Sequence, residues 1–305
     1  MSEGAALRLP GRLASARSVP IQYFPHKRNC WIYDVEMAVR GEIGGLTGSG
    51  RRELAAVFPH GARTTTVEQA ASALSVSGPE AARRLAAWAS RGWVRRVRRG
   101  LYLAVPVDAP DPAAWTEDPW YLADLAWSPC YVTGWSAANH WSLTDQIFRS
   151  TVIATTQRVR KVEQELATNT YLLHHVGPER LEWGLRAEWR HDRRVLVADQ
   201  ARTVAEMLDV PGLGGGIRHV TEILDIYLID GDPAALTDAL ERLGNGAAFK
   251  RLGYLAEHLG VDNTDLFEAC QRGITSGVSR LDPDLPATGS RSSRWGLLVN
   301  AEVDA

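Results

Sequence analysis

The sequence predicts an α+β protein in which a short helix-and-hairpin region precedes a larger mixed region. Two observations predict this fold class. Residues 49–106 read as three short helices followed by two strand-like runs, and residues 107–305 place most of their strand-like runs before most of their helices. A length of 305 residues also suits two domains. We therefore expect an N-terminal extension at 1–48, a first domain at 49–106 and a mixed α+β domain at 107–305.

The three short helices of the first domain have recognisable ends. In two of them a Ser or Thr precedes a Glu by three residues, as in a capping box: Thr65 with Glu68, and Ser77 with Glu80. Gly92 ends the last helix. The predicted helices are 51–58, 65–74 and 79–91.

Two strand-like runs follow these helices, at 93–97 and 101–105, and Gly100 supplies the glycine of a tight turn between them. We expect a small core from Leu74, Leu85, Trp88 and Val97. Three helices followed by a two-stranded wing is the order of a winged helix-turn-helix domain, whose third helix fits the major groove of B-DNA.

A dense group of arginines occupies the third helix and the hairpin, although the net charge of the whole chain is −2. No acidic residue lies between Glu80 and Asp108. Such a basic group supplies phosphate contacts, while a helix in the groove reads base edges. The predicted DNA-binding residues are Arg83, Arg84, Arg91, Arg95, Arg96, Arg98 and Arg99.

These arginines divide by position. Arg83 and Arg84 lie about one turn into the third helix, so we expect base or near-base contacts from them. The hairpin arginines, Arg95, Arg96, Arg98 and Arg99, are expected to contact phosphates and the minor groove. A solvated basic face and a winged helix that binds only protein remain open alternatives.

Other regions have weaker signals. In the second domain we expect strands at 151–155, 171–176 and 195–198 and helices at 199–208, 218–229, 234–243 and 247–259. The Pro- and Asp-rich segment 107–119 reads as a linker. The extension at 1–48 reads as a poorly ordered arm, and an arm that reaches DNA through Lys27 and Arg28 is an open alternative.

The composition and cysteine spacing argue against several classes of protein. Cys30, Cys130 and Cys270 form no Cys-x-x-Cys pair, so we predict neither a zinc site nor another metal or cofactor. No stretch approaches 18 uninterrupted apolar residues, and the first 25 residues lack the apolar core of a signal peptide. We therefore expect a cytoplasmic protein that does not bind a membrane.

Three groups of residues partly resemble catalytic or ligand-binding sites. The loop 212–216 is glycine-rich but lacks the Gly-Lys-Ser/Thr ending of a P-loop, so we expect a flexible loop. Ser136, His140 and Asp145 lack the Gly-x-Ser-x-Gly elbow of a hydrolase. His174 and His175, with His191 and Asp192, could suggest a metal site, but adjacent histidines in a predicted strand point to opposite faces, which disfavours a shared metal. Because no carboxylates cluster with metal spacing, we predict no enzymatic activity.

Two further groups are open to more than one interpretation. Five tryptophans lie close together in the sequence and are expected in the core, with a partner or dimer surface as the alternative: Trp115, Trp120, Trp127, Trp135 and Trp141. Late basic residues are expected on exposed turns, as a solvated face or as a second anion-facing patch: Lys250, Arg251, Arg291 and Arg294.

Several stretches together resemble the AbiEi-type antitoxins of type IV toxin–antitoxin systems. The strongest is the Arg-x-Arg-Arg-Gly-x-Tyr run at 96–102, preceded by the stretches at 65–71 and 83–85. Residues 134–143, 193–208 and 249–257 are also similar to that family. The resemblance covers roughly residues 50–300.

The resemblance implies two roles for the protein. The winged helix would repress transcription by binding double-stranded DNA, the operator upstream of its own operon. The second domain would oppose a partner toxin that resembles nucleotidyltransferases. The alternative is a stand-alone winged-helix transcription factor whose second domain dimerises, giving a homodimer on DNA, or senses a ligand.

Overall fold

The computed structural model describes residues 47–59, 62–106, 109 and 115–303. The chain divides into two units between Gly48 and Ser49, and nearly all of the described residues belong to the second, Ser49–Ala305. The expected arm, with Lys27 and Arg28, lies outside the described residues. The second unit is mixed α+β, as predicted from the sequence.

Ten α-helices occur in the described ranges. They are α1 Gly48–Val57, α2 Val67–Leu74, α3 Gly78–Ser90, α4 Pro119–Trp127, α5 Gly134–His140, α6 Gln200–Asp209, α7 Ile217–Asp230, α8 Pro233–Leu243, α9 Gly246–His258 and α10 Thr264–Gly273. The longest has 14 residues, and none of the described helices is long and apolar enough to cross a membrane.

Twelve strands in the same ranges form three sheets. They are β1 Thr64–Thr66, β2 Val94–Arg98, β3 Leu101–Ala104, β4 Cys130–Val132, β5 Ser150–Thr155, β6 Glu163–Leu166, β7 Asn169–His175, β8 Leu185–Arg190, β9 Arg193–Ala198, β10 Ser279–Arg280, β11 Ser290–Ser292 and β12 Leu297–Val299. The sheet orders are β1-β3-β2, β6-β7-β5-β4-β9-β8 and β10-β12-β11.

The first sheet is antiparallel and joins the hairpin to a strand that was not predicted from the sequence. β1 pairs with β3, placing Thr65 opposite Tyr102. The capping box of α2 is also one residue later than expected: the Thr66 hydroxyl accepts from the Gln69 N–H at 3.2 Å, and the Gln69 side chain accepts from the Thr66 N–H at 2.8 Å. Thr65 cannot cap the helix because it belongs to the strand.

Alternate residues of the hairpin face two different cores. Leu103 and Val97 belong to a hydrophobic cluster with Trp120 of α4 and with the six-stranded sheet. Tyr102, next along β3, is buried on the opposite face. The prediction that Val97 packs with Leu85 between the helices was therefore wrong, because β3 carries apolar residues on both faces and Val97 joins the Leu103 side.

The end of the predicted linker is part of the packed structure. Glu117 is 6% exposed, and its carboxylate bonds Arg63 at 2.7 Å and His191 at 2.9 Å. Asp118 caps α4, accepting from the Trp120 N–H at 2.8 Å. Residues 115–119 therefore do not act as a free linker, because their polar groups bond both the 49–106 region and the later hairpin.

The six-stranded sheet is mixed, and both faces of its central strands are buried. β4 pairs antiparallel with β5 and parallel with β9. Cys130 and Val132 point into the cluster shared with α4 and the hairpin, whereas Tyr131 between them points to the opposite face, near Ala154. Burial raises the pKa of the Cys130 thiol to about 12.

The third layer is helical. Helices α6 to α9 coincide with the predicted helices to within about two residues, and their buried faces share one large cluster with Trp295 and Leu297 of the final small sheet. Side-chain caps at Asp199 and Asn245 begin two of these helices.

Candidate nucleic-acid interface

Helix α3 is anchored by its inner face, and its outer face is exposed. Ser77 caps the helix by accepting from the Glu80 N–H at 3.4 Å. Leu85 and Trp88 are buried on the inner face. The exposed residues are mostly small: Pro79, Arg83, Ala86, Ala87 and Ser90. Small side chains allow the helix axis to approach a groove closely, and Arg83 is the long side chain that extends from this face.

The two predicted base-reading arginines have different surroundings. The Arg83 side chain is 77% exposed and lies 2.5 Å from Glu80 on its own helix. Arg84 is clamped between two carboxylates, at 3.0 Å from Glu80 and 2.9 Å from Glu53 of α1. The hydrogen bond from Arg84, with the charge of Arg83, lowers the pKa of Glu80. Arg84 therefore joins α3 to α1, and Arg83 is the one that faces outward.

The hairpin presents its arginines to solvent around a tight turn. Gly100 has φ +82°, a conformation that favours glycine. A bulge in β2 places Arg96 opposite Tyr102 and Arg98 opposite Leu101, which changes the direction of the strand between the two arginines. Three hairpin arginines are exposed and have no ion-pair partner among the described residues: Arg96, Arg98 and Arg99.

Arg95 differs from its neighbours on the hairpin. It is half-buried, and its guanidinium donates to the backbone carbonyl of Trp115 at 2.7 Å and to that of Ala167 at 3.3 Å. Because it lies on the Leu103 side of β2, it holds the hairpin against the rest of the chain. Arg91 is exposed at the end of α3.

Two further arginines were not among the predicted contacts. Arg51 and Arg52 are exposed on α1, immediately before Glu53, whose carboxylate binds Arg84 of α3. Their signal in the sequence was the Arg-Arg pair at the start of the first helix. They add two positive charges to a helix that is joined directly to α3.

The glycine-rich loop is a structured turn, and a carboxylate of the protein itself lies at the start of the helix that follows it. Residues Pro211–Gly214 form a 3₁₀ turn, and Gly215 and Gly216 have φ values of +84° and +107°. A carboxylate oxygen of Asp282 accepts from the Ile217 N–H at 3.0 Å, at the N-terminus of α7. The position where a phosphate would bind is therefore occupied by the protein's own carboxylate.

Ser136 and His140, which resemble members of a catalytic triad in the sequence, have polar partners other than each other. The Ser136 hydroxyl accepts from the Val152 N–H at 2.9 Å, and His140 lies 3.5 Å from Glu188. No hydrogen bond joins Ser136 to His140 within the described ranges. His175 and His191 also have separate partners, the Gln157 carbonyl and the Glu117 carboxylate.

The late basic residues do not form the expected exposed patch. Lys250 and Arg251 are 1% and 4% exposed. The Lys250 ammonium donates to the Gly277 carbonyl at 2.7 Å. The Arg251 guanidinium donates to four backbone carbonyls, those of Leu208, Asp209, Arg280 and Leu281. Both side chains therefore order loops, because the backbone carbonyls that they bond come from distant segments and meet at α9.

The overall fold is similar to that of a solved structure, the RV2827C protein from Mycobacterium tuberculosis. The TM-score is 0.59 with 14% sequence identity, over 83% of this chain and 92% of that one. No family model matches the chain, and no curated protein matches it. At this level of identity the similarity concerns the fold alone, and we conclude that the chain shares the architecture of that protein.

Proposed function

We propose that this chain is a DNA-binding regulator of transcription, with a winged helix-turn-helix domain at residues 49–106. The element order α1-β1-α2-α3-β2-β3, with β3 between β1 and β2, supports this domain type. In it α2 and α3 form the helix-turn-helix, α3 enters the major groove, and the β2–β3 hairpin is the wing.

The observation that carries the proposal is the charge on the wing. Arg96, Arg98 and Arg99 are exposed, and no described carboxylate lies within ion-pair distance of them. Arginines that pair with acids have part of their charge neutralised by the protein, whereas these three are available for phosphate oxygens. They supply sequence-independent affinity and fix the orientation of the domain.

Specificity is assigned to α3. Arg83 extends from a face of small side chains, and an arginine in that position can bond bidentately to guanine. Arg84 supports this function indirectly, by fixing α3 against α1 through Glu53. We expect Arg51, Arg52 and Arg91 to add phosphate contacts around the same surface.

The resemblance to AbiEi-type antitoxins supports a more specific role. In it the protein represses its own operon and opposes a nucleotidyltransferase-like toxin through residues 107–305, without enzymatic activity of its own. The alternative, a stand-alone regulator whose second region dimerises or senses a ligand, requires the same DNA binding. The two differ only in whether a toxin is opposed.

A salt titration that compares arginine variants in two β-hairpins of the protein tests DNA binding. The test variant is Arg98→Ala with Arg99→Ala, on the wing. The matched control is Arg186→Ala with Arg194→Ala, two exposed arginines of the β8–β9 hairpin. Binding to a duplex from upstream of the gene and to a random duplex is measured by fluorescence anisotropy between about 50 and 200 mM salt.

The wing variant should weaken binding to both duplexes and flatten the plot of log affinity against log salt by about 1.8, which is roughly 0.9 for each lost phosphate contact. The control variant should leave affinity and slope unchanged. Equal effects of the two variants would indicate nonspecific charge, and no effect of the wing variant would contradict the proposal.

Co-expression tests the antitoxin role separately. The co-transcribed neighbouring gene is induced with the full chain, and with the full chain carrying the wing variant. If the two roles lie in different regions, both chains should restore growth. Failure of the wild-type chain to restore growth would favour the stand-alone regulator.

A further inference from the structure

A cavity on the second region is separate from the basic surface. It has a volume of about 310 Å³ and opens between α5, the segment before β5 and the end of β8. Its size falls at the lower end of the range for small-molecule sites, about 300–1,000 Å³. None of the seven predicted DNA-binding arginines lines it.

Flat rings form much of the cavity wall. The rings of Trp135 and Phe148 are stacked, with centroids 4.4 Å apart and planes 11° apart. Trp120 meets the ring of His140 edge to face, at 5.0 Å. Ile147, another lining residue, is 93% exposed. A planar apolar group could contact these rings and cover the isoleucine, which otherwise remains in water.

One guanidinium lines the same cavity. Arg190 lies over the Trp120 ring, 4.6 Å from its centroid. Its Nε atom is 3.5 Å from Asp118, and its Nη1 atom donates to the carbonyl of Trp189 at 3.4 Å. These long contacts leave most of the five guanidinium donors available. The Trp120 ring fixes the plane of the guanidinium, which favours bidentate binding of a planar or tetrahedral anion.

The nearby carboxylates do not prevent an anion from binding to Arg190. Asp118 uses its other oxygen to cap α4, and Glu188 lies 3.5 Å from His140. Neither carboxylate lines the cavity, whereas Arg190 and His140 both do. Of these four groups, the cavity is therefore bordered by the guanidinium and the imidazole and not by the carboxylates.

We propose that this cavity binds a small molecule in which a planar ring is joined to an anionic group. The ring packs against Trp135, Phe148 and Ile147, and the anion bonds Arg190. Nucleoside monophosphates and aromatic carboxylic acids both have this chemistry. The proposal concerns a second site and does not depend on DNA binding.

Titration calorimetry on the full chain without DNA tests the site. The probes are adenosine and cytidine 5′-monophosphates as one source and indole-3-acetate as the other. Adenosine, cytidine and indole serve as controls that carry only the ring, and inorganic phosphate and acetate as controls that carry only the anion. At least one ring-plus-anion probe should bind at least tenfold more tightly than the controls that carry only its ring or only its anion, and the probe that binds identifies the source.

Two variants place the binding at this cavity. Arg190→Gln removes the anion partner, and Asn139→Phe fills the mouth from an exposed position that lines the cavity. Each should raise the Kd of the bound probe at least tenfold, whereas Arg186→Gln, on the same strand but outside the cavity, should not. Circular dichroism verifies that the variants fold, and Asn139→Phe remains informative if Arg190→Gln does not.

Two results would overturn the proposal. One is that, up to millimolar concentration, no ring-plus-anion probe binds at least tenfold more tightly than the controls that carry only its ring or only its anion. The other is that a probe binds and neither Arg190→Gln nor Asn139→Phe changes its Kd.

Discussion

The arginines of the wing and those of the helical core have the same side chain in opposite surroundings. On the wing, Arg96, Arg98 and Arg99 lie in water without a described acidic partner. In the core, Arg202 is 0% exposed, bonds Glu206 at 2.8 Å and lies between the rings of Tyr131 and Trp183.

The difference shows that a count of arginines does not locate a binding surface. An arginine that is buried among carbonyls, carboxylates and aromatic rings contributes to stability, and its charge is not available to a ligand. An exposed arginine contributes little to stability, because water and salt screen it. Substitutions in the two regions should therefore change different measurements.

The largest expected effect is that of Arg202→Met. Glu206 is 5% exposed and would be left as a buried charge without its cation. Breaking a buried pair in this way costs about 3–5 kcal/mol. We expect a loss of that size in the free energy of unfolding, measured by urea denaturation, whereas Arg186→Met on exposed β8 should change it by less than about 0.5 kcal/mol.

A double variant sharpens this result. Arg202→Met with Glu206→Leu removes both charges and should be more stable than Arg202→Met alone. Tyr131 and Thr133 also donate to Glu206, so recovery should be incomplete. A double variant no more stable than the single one would show that packing of Arg202 against the rings, and not the unpaired charge, dominates.

Arg251→Met should have the next largest effect. Several of its carbonyl acceptors would be left buried without a donor, and each such group costs about 1–3 kcal/mol. We expect a loss of about 3 kcal/mol, with Arg291→Met, an exposed position, as the control. If instead Arg251 were part of an anion-binding patch, its removal would weaken binding of DNA or RNA while leaving stability nearly intact.

Local patterns in the sequence were sufficient for the elements whose causes are local. The spans of α6 to α9 follow from apolar periodicity and side-chain caps, and the hairpin follows from two strand-like runs and Gly100. The capping box was displaced because three consecutive threonines offer two equivalent spacings, Thr65 to Glu68 and Thr66 to Gln69. Pairing of β1 with β3, about 37 residues later, decides between them.

Contacts between distant segments could not be predicted from local patterns in the sequence. The carbonyl partners of Arg251 are 29 to 43 residues away, and those of Arg95 are 20 and 72 residues away. No local pattern distinguishes Arg95 from Arg96 or Arg251 from Arg291. The sequence could therefore predict a basic surface, but not which of its arginines are free to bind.

Arg83 and Arg84 are adjacent on α3, but their substitutions should have clearly different effects on DNA binding. Arg83→Ala should reduce the ratio of operator to random-duplex affinity, because a bidentate contact to guanine discriminates by about 1–3 kcal/mol. Arg84→Ala should lower Tm slightly, since Glu53 and Glu80 lose their partner, and should leave that ratio unchanged. A loss of selectivity in Arg84→Ala alone would show that the clamped arginine is the reader.

The smallest and most exacting comparison is between Arg95 and Arg96, neighbours on β2 that face opposite sides. Arg95→Ala removes a donor from the carbonyls of Trp115 and Ala167, so the free energy of unfolding should fall by about 1–2 kcal/mol. Arg96→Ala should change that free energy by less than about 0.5 kcal/mol, because the side chain lies in water. It should instead flatten the salt dependence of DNA binding by about 0.9, the effect of one lost phosphate contact. Urea denaturation and a salt titration on the same preparations measure both quantities. The opposite pattern, in which Arg95→Ala changes the salt dependence and Arg96→Ala changes stability, would mean that the face of β2 turned toward α4 is the one that meets DNA.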